Sequence, residues 1–396
     1  MQNGLKRLLF VLILTFTLGN VESLFAMDGS KMTVSLITCS PDEDVYSLYG
    51  HTAIRCRDNE GEFDYVFNYG VFSFEQPYFI LRFVLGSCDY MVQPIPWNFF
   101  VHEYESRGRR VIEQVLNLTE SEAYRITIQL INESRPENCN YRYDFFRNNC
   151  TTKVRDVIEN SLDVLVVYPE LEELKGCTYR QMLHHYNEVD PWSSEGCDLL
   201  LGADVDTLLT QRASTFLPIT YMKFVDEAVL RDSINSSRPM VLNKHVVIEG
   251  KPLVIYPVFP LTPTQTFWLL LAIFVLIAMI ECALHYQFWI IDVVVLFSQG
   301  LIGLLLLFLM VLSSHPGVHE NWLVILFNPI ALWGLFLTVK AAWKRERSHW
   351  HAVNACLIVA FLVFSMWMPQ KFGNIVLPLT LILLTRPVSY MLYYRK

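Results

Sequence analysis

The stretch RYDFFRNNCTTKVRD (residues 142–156) passes from an aromatic run, through a polar knot around Cys150, into helical spacing. Val154, Val157 and Ile158 recur at helical intervals, so CTTKVRDVIENSL (150–162) is expected to be a helix seated on other structure. Asn148, Asn149, Thr151 and Thr152 are small and polar, which keeps a thiol out of apolar packing. A helix N-terminus favours a thiolate through its dipole and free N–H groups. The plainer alternative is an ordinary buried or paired cysteine.

The chain before this helix reads mostly as strand. MTVSLITC (32–39) alternates and is rich in β-branched residues, and HTAIRCRD (51–58) and EFDYVFNYG (62–70) flank the turn signal Asn59-Glu60-Gly61. RRVIEQVLNL (109–118) is a fourth strand candidate. From Thr119 the pattern changes to TESEAYRITIQLINESR, which opens on a T-x-x-E capping box (Thr119, Glu122) and continues at helical spacing. A further helix is expected at roughly 216–232, and MVLNKHVVIEGKPLVIY (240–256) reads as a hairpin around Glu249-Gly250. Strands first and the cysteine helix after them make residues 27–262 an α+β domain.

The ends of the chain differ from this middle. Of 396 residues, 53% are hydrophobic, and the excess lies in the last third. Lys6 and Arg7 precede an apolar run from Leu8 to Leu18, too short for a span and suited to a signal peptide over 1–26, with Ala26 the cleavage point. An uncleaved anchor is the alternative; either reading exports the α+β domain. Residues 263–396 carry five long apolar segments, about 266–284, 288–312, 322–340, 352–368 and 373–392. Each approaches the ~20 residues needed to cross ~30 Å of hydrocarbon. A soluble helical core does not fit, because the segments lack a polar face. The basic loop AAWKRERSHWH (341–351) and the tail YYRK fall on one side, and SSHPGVHEN (313–321), without Lys or Arg, on the other. With the exported domain outside, the positive-inside rule then puts the C-terminus in the cytoplasm. Glu281, Asp292 and Arg386 lie in or beside spans, where they either snorkel or pair with one another. A net charge of −8 without a basic stripe argues against nucleic acid.

Seven of the nine cysteines lie in the exported part, at 39, 56, 88, 139, 150, 177 and 197. Disulfides are possible there, but an odd number leaves at least one thiol over. The spacings offer no zinc pattern, so no metal or other cofactor is expected. A nucleophilic Cys150 needs a base, and YSLYGHTAIR (46–55) supplies His51 at the start of a strand pattern. A third group should orient the imidazole; Asn68 in FNYG is favoured, with Asp64 and Tyr69 as alternatives. His184 and His185 read as a solvated helix face, and His315 and His319 as a polar turn or the mouth of a site.

The set YGHTAIR, FNYGVFSF, FRNNCTT, CDLLLGADVD and FLPITYMKFVDEA, in this order and followed by several spans, resembles the Bacteroidota lipoprotein N-acyltransferases, Lnb. The resemblance covers nearly the whole chain after the signal peptide. It implies a permuted papain-like domain, related to NlpC/P60 proteins, with histidine before cysteine, on a five-helix transmembrane bundle of the bacterial inner membrane. It further implies Cys150 as nucleophile and His51 as base, with Asn68 transferred as the third member. Cys88, in LLGSCDY, departs from the family's pattern. The implied reaction moves an acyl chain from a phospholipid, through a Cys150 thioester, to the α-amine of the diacylglyceryl-modified N-terminal cysteine of a lipoprotein. The expected oxyanion donors are the Cys150 N–H and the Asn149 side chain. VFSFEQPYFILRFVLG (71–86) reads as an acyl groove, a membrane-dipping surface or ordinary core. Two other readings compete: a membrane-anchored cysteine peptidase or amidase acting on peptidoglycan, which would need one anchor and not five, and a non-catalytic envelope assembly protein.

Overall fold

MTVSLITC and HTAIRCRD form the strands expected of them. β1 (Met32–Cys39) and β2 (His51–Asp58) pair antiparallel along their whole length, Met32 opposite Asp58 and Cys39 opposite His51. The computed structural model describes residues 31–44, 47–73, 75, 77–232, 236–253, 259–344 and 346–394. The signal peptide expected over 1–26 and the end of the hairpin expected over 240–256 lie outside the described residues.

The chain divides into two compact units. One takes the chain as far as residue 74, then Asp89–Glu172 and Ala213–Leu253; the other takes Glu75–Cys88, Glu173–Arg212 and Val254–Lys396. The first unit holds β3 (Asp64–Val71), the second α1 (Phe79–Val84); the chain then returns to the first for β4 (Asp89–Pro96), α2 (Trp97–Ser106), β5 (Val111–Leu116), α3 (Glu120–Glu133), β6 (Asn140–Arg142), α4 (Cys150–Ser161) and β7 (Leu165–Val167). α5 (Tyr179–Asn187) and α6 (Pro191–Leu200) belong to the second unit, and α7 (Pro218–Glu227), β8 (Val229–Arg231), β9 (Ser237–Pro239) and β10 (Val241–Ile248) to the first.

In the first unit the main sheet runs β10-β5-β1-β2-β3-β4-β6, with every neighbour antiparallel. Strand alternation sends Leu36, Ile54 and Phe67 to one face, where α3, α4 and α7 cover them through Ile126, Val157 and Tyr221. Ile37, Ala53 and Val66 face the other way, against Phe100 and Tyr104 of α2. The capping box at Thr119 forms, and it sets the start of α3: the Glu122 carboxylate accepts the Thr119 N–H at 2.8 Å. Among the described residues, β10 is not paired with its own continuation. It pairs with β5, and after Gly250 the Lys251 N–H donates to Gly108 O (2.7 Å), which turns the chain along the β5 side.

In the second unit the apolar segments form α8 (Pro263–Leu284), α9 (Trp289–Leu312), α10 (Leu323–Leu326), α11 (Ala331–Lys344), α12 (Trp350–Phe364) and α13 (Val376–Tyr393). Counting α10 with α11, they make five stretches long and apolar enough to cross a membrane. The third is interrupted at Asn328-Pro329, because a residue before proline avoids the helical region. The buried Gln299 amide donates to the freed Leu326 carbonyl there (2.8 Å).

Arg386 does not snorkel. Its Nε donates to Asp292 (2.7 Å) and its two terminal nitrogens to Glu281 (2.8 and 2.9 Å), with all three side chains buried, so one guanidinium ties α13 to both α8 and α9. Arg386→Leu leaves two buried carboxylates unpaired and is expected to cost about 3–5 kcal/mol of stability. The check is the thermal unfolding midpoint of the full chain in detergent; an unchanged midpoint would show that the triad is dispensable.

Candidate active site

β2 begins with the residue of interest because of the turn before it. Gly50 has φ +83°, and a Cβ there would stand 2.7 Å from the Cys39 carbonyl oxygen, so the chain closes tightly on β1 just before His51. His51 shares the strand parity of Ala53, as Asn68 shares that of Val66, which puts both side chains on one face of the sheet. They meet there: His51 Nε2–H donates to Asn68 Oδ1 at 3.0 Å. With Nε2 engaged, Nδ1 is the nitrogen left to act as a base.

The thiol comes from α4. Asn149 is the N-cap, its Oδ1 accepting the N–H groups of Thr151 and Thr152 (both 2.9 Å). Its Nδ2 donates to the carbonyls of Phe145 (2.7 Å) and Phe216 (2.9 Å). Thr151 then joins Thr52 at 3.0 Å, hydroxyl to hydroxyl, which bolts the first helical turn to the start of β2. Cys150 is therefore presented at the helix N-terminus, partly exposed, with its sulfur within hydrogen-bonding reach of the His51 ring. Burial disfavours the thiolate, but the His51 charge and hydrogen bond, the Thr52 backbone and the Thr151 hydroxyl together outweigh it. The pKa of Cys150 lies below the ordinary thiol value.

Three expected supporting residues are placed elsewhere. Asp64 does not orient the imidazole: it holds Arg55 through two hydrogen bonds (2.6 and 2.7 Å), and Arg55 also binds the buried Glu113. Tyr69 donates its hydroxyl to Glu133 at 2.7 Å, from the face that α3 and α4 cover. Asn149 is no oxyanion donor, because both protons of its amide are already given to carbonyls. Sequence reasoning missed Tyr141. β6 pairs Tyr141 with Tyr90 of β4, and its buried hydroxyl has no side-chain partner, only the Gly70 backbone beside it. Gly70 explains the space beside it: a Cβ there, at φ +93°, would lie 3.7 Å from Cys150 Cβ and 4.0 Å from the Tyr141 hydroxyl oxygen. The glycine thus leaves open a recess that the cysteine and this hydroxyl both border. The Cys150 N–H, first in its helix, has no intrahelical acceptor.

All nine cysteines are free, so no bridge locks Cys150. Cys39, opposite His51 in the sheet, is buried and its pKa is pushed up to about 12, chiefly by that burial.

The remaining histidines lie outside this constellation. His184 is not simply solvated: its Nε2 bonds the buried Asp198 at 2.9 Å, and Asp198 also pairs with Arg180 at 2.7 Å. This cluster seats the CDLLLGADVD stretch, whose Gly202 and Ala203 N–H groups donate to the carbonyls of Gly317 (2.7 Å) and Glu320 (2.8 Å). His315 bonds the Phe83 carbonyl, and His319 the Met310 carbonyl at 3.1 Å.

A lowered thiol pKa has a measurable sign. The reactive thiolate is present above that pKa and is lost as the pH falls through it, so alkylation of Cys150 by iodoacetamide should persist to lower pH than for an ordinary cysteine. His51→Ala removes the largest stabilising influence and leaves burial dominant, so labelling at pH 7 should slow by at least about tenfold. An unchanged labelling profile in His51→Ala would show that the imidazole does not act on this sulfur.

Two family models match the chain: the Lnb N-terminal periplasmic domain over residues 22–185 and the Lnb transmembrane domain over residues 256–396. The match to the first contains His51, Asn68, Tyr141 and Cys150, and the match to the second all five apolar stretches. Neither a curated protein nor a solved structure matches.

Proposed function

Because this chain belongs to the Lnb family, we propose that it is a lipoprotein N-acyltransferase working through a Cys150 thioester. The chain is an inner-membrane protein with a periplasmic N-terminal domain. The reading extends this to a permuted papain-like fold for that domain and a C-terminus on the cytoplasmic side. The observation that carries it is the alignment of Asn68, His51 and Cys150: an acceptor fixing the imidazole, and the imidazole facing a thiol of lowered pKa.

Cys150 sulfur attacks the ester carbonyl of a phospholipid while His51 holds the thiol proton at Nδ1. The carbonyl oxygen gains charge in the recess bordered by the Cys150 N–H and the Tyr141 hydroxyl. On collapse, the carbon–oxygen bond breaks, the lysophospholipid alkoxide takes the proton from His51, and the acyl group stays on sulfur. The neutral α-amine of the lipid-modified lipoprotein cysteine then attacks the thioester. As the carbon–nitrogen bond forms the carbon–sulfur bond breaks, His51 carries the amine's proton to the sulfur, and the thiol is restored as the new amide leaves. Both substrates are tethered to one leaflet, and five spans hold the enzyme in the same plane, so the encounter is largely pre-paid.

The test is the intact mass of the purified protein after exposure to phospholipid. An acyl adduct on Cys150 that neutral hydroxylamine removes is expected. A hydroxylamine-stable adduct, or none, would overturn the thioester route. Labelling of Cys150 by a peptide-like electrophile in preference to a lipid-like one would favour the peptidoglycan amidase.

A further inference from the structure

The segment Glu75–Cys88 leaves the first unit between β3 and β4 and is built into the second. Its helix α1 is fastened at its C-terminal end to the residues that follow α9. The Ser313 hydroxyl donates to the Val84 carbonyl (2.8 Å), the Ser314 N–H to the Leu85 carbonyl (2.9 Å), and the Ser314 hydroxyl to the Gly86 carbonyl (2.9 Å). The His315 ring bonds the Phe83 carbonyl and packs edge-on to the Phe83 ring, with centroids 5.4 Å apart. These contacts fix α1 at the end of a 24-residue apolar helix.

Much of the rest of α1 is apolar and uncovered, and so is the part of the Phe83 ring that His315 leaves bare. Tyr78 is 81% exposed and Ile80 77%, and Leu81 and Phe83 are about half exposed. The helix has no acidic residue in its first turn, and the Arg82 guanidinium is turned back to the Ser87 carbonyl (3.2 Å). Val311 and Leu312, the last residues of α9, are exposed as well, and they directly precede the residues that hold α1. Such a face in water would forfeit roughly 1.5–3 kcal/mol for each large side chain. A lipid surface recovers that energy, and aromatic residues such as Tyr78 suit the headgroup boundary.

We propose that α1 is an interfacial anchor: Tyr78, Ile80, Leu81 and Phe83 insert among the phospholipid acyl chains of the leaflet that the α9 C-terminus reaches. This goes beyond the acyltransferase reading, and would give the chain a second hold on the leaflet in addition to its spans. The anchoring itself does not depend on catalysis.

The test uses the full chain carrying Ile80→Trp, reconstituted in phosphatidylcholine vesicles with bromine on the acyl chains. The emission that the variant adds over the parent protein is followed. Brominated lipid should quench this added emission by at least about twofold, while aqueous iodide leaves it nearly unchanged. Quenching by iodide without quenching by bromine would overturn the anchor. Bromine quenching that falls away as the protein-to-lipid ratio rises would assign the face to a second copy of the chain, and would overturn it too. The readout needs no turnover, so a failed acylation test and a failed anchor are told apart.

Discussion

Cys150→Ala is expected to lower acyl transfer by at least about 10⁴-fold, the scale on which removal of a covalent nucleophile acts. It should leave the fold within about 1 kcal/mol of the parent. The two halves of this expectation come from different atoms. The helix start is held by Asn149 and by the Thr151–Thr52 contact, and none of these bonds uses the sulfur. The sulfur's own neighbours are the imidazole and the groups that favour the thiolate. No nearby thiol can take over: Cys39 faces His51 across the sheet, but burial keeps it protonated at any working pH. Cys39→Ala should therefore change transfer by less than about threefold. The measurement is transfer of a labelled acyl chain from phospholipid to a diacylglyceryl lipoprotein, beside the thermal unfolding midpoint. A folded Cys150→Ala that keeps more than a tenth of the activity would remove the nucleophile from the scheme.

Local signals are legible where the local chemistry also decides the structure. The alternation in residues 32–39 and 51–58 matches β1 and β2 residue for residue, and the capping box at Thr119 marks the start of α3. His51 and Cys150 stand out because each sits at the end of an element, a position that sequence patterns reveal. Asn149 misleads for a physical reason. The same Asn that announces a helix start spends its amide on capping it, so it has nothing left for a substrate. Asp64 misleads because Arg55 and Glu113, which claim it or its partner, come from other strands. β4 is hidden because Pro94 and Pro96 blur its pattern, and the pairing of β10 with β5 is not written in either strand alone. The same applies to residues 75–88 and 173–212. Their ties to the loops around 313–321 all end on main-chain carbonyls of residues 83–86 and 199–200 or run between main-chain groups, and a main-chain acceptor carries no residue signature.

Tyr141 has no sequence signal at all, and it carries the second large expectation. Tyr141→Phe should lower kcat by about 10²-fold with little change in KM, as expected for a donor that meets its acceptor only in the transition state. The hydroxyl is buried and in the resting protein meets only the Gly70 backbone, so its removal gives up little, and stability should stay within about 1 kcal/mol of the parent. Burial, and then the proximity of Cys150, push the phenol well above its ordinary pKa, so it stays a protonated donor through the whole working range. The loss in Tyr141→Phe should accordingly be the same at pH 6 and pH 9, whereas a residue acting through the Cys150–His51 pair would shift the pH profile instead. Gly70→Ala offers an independent approach to the same recess: a methyl group there intrudes between the cysteine and the hydroxyl and should lower kcat even with Tyr141 intact. If Tyr141→Phe turns over within about threefold of the parent, the developing oxyanion must be met by the Cys150 N–H without this tyrosine.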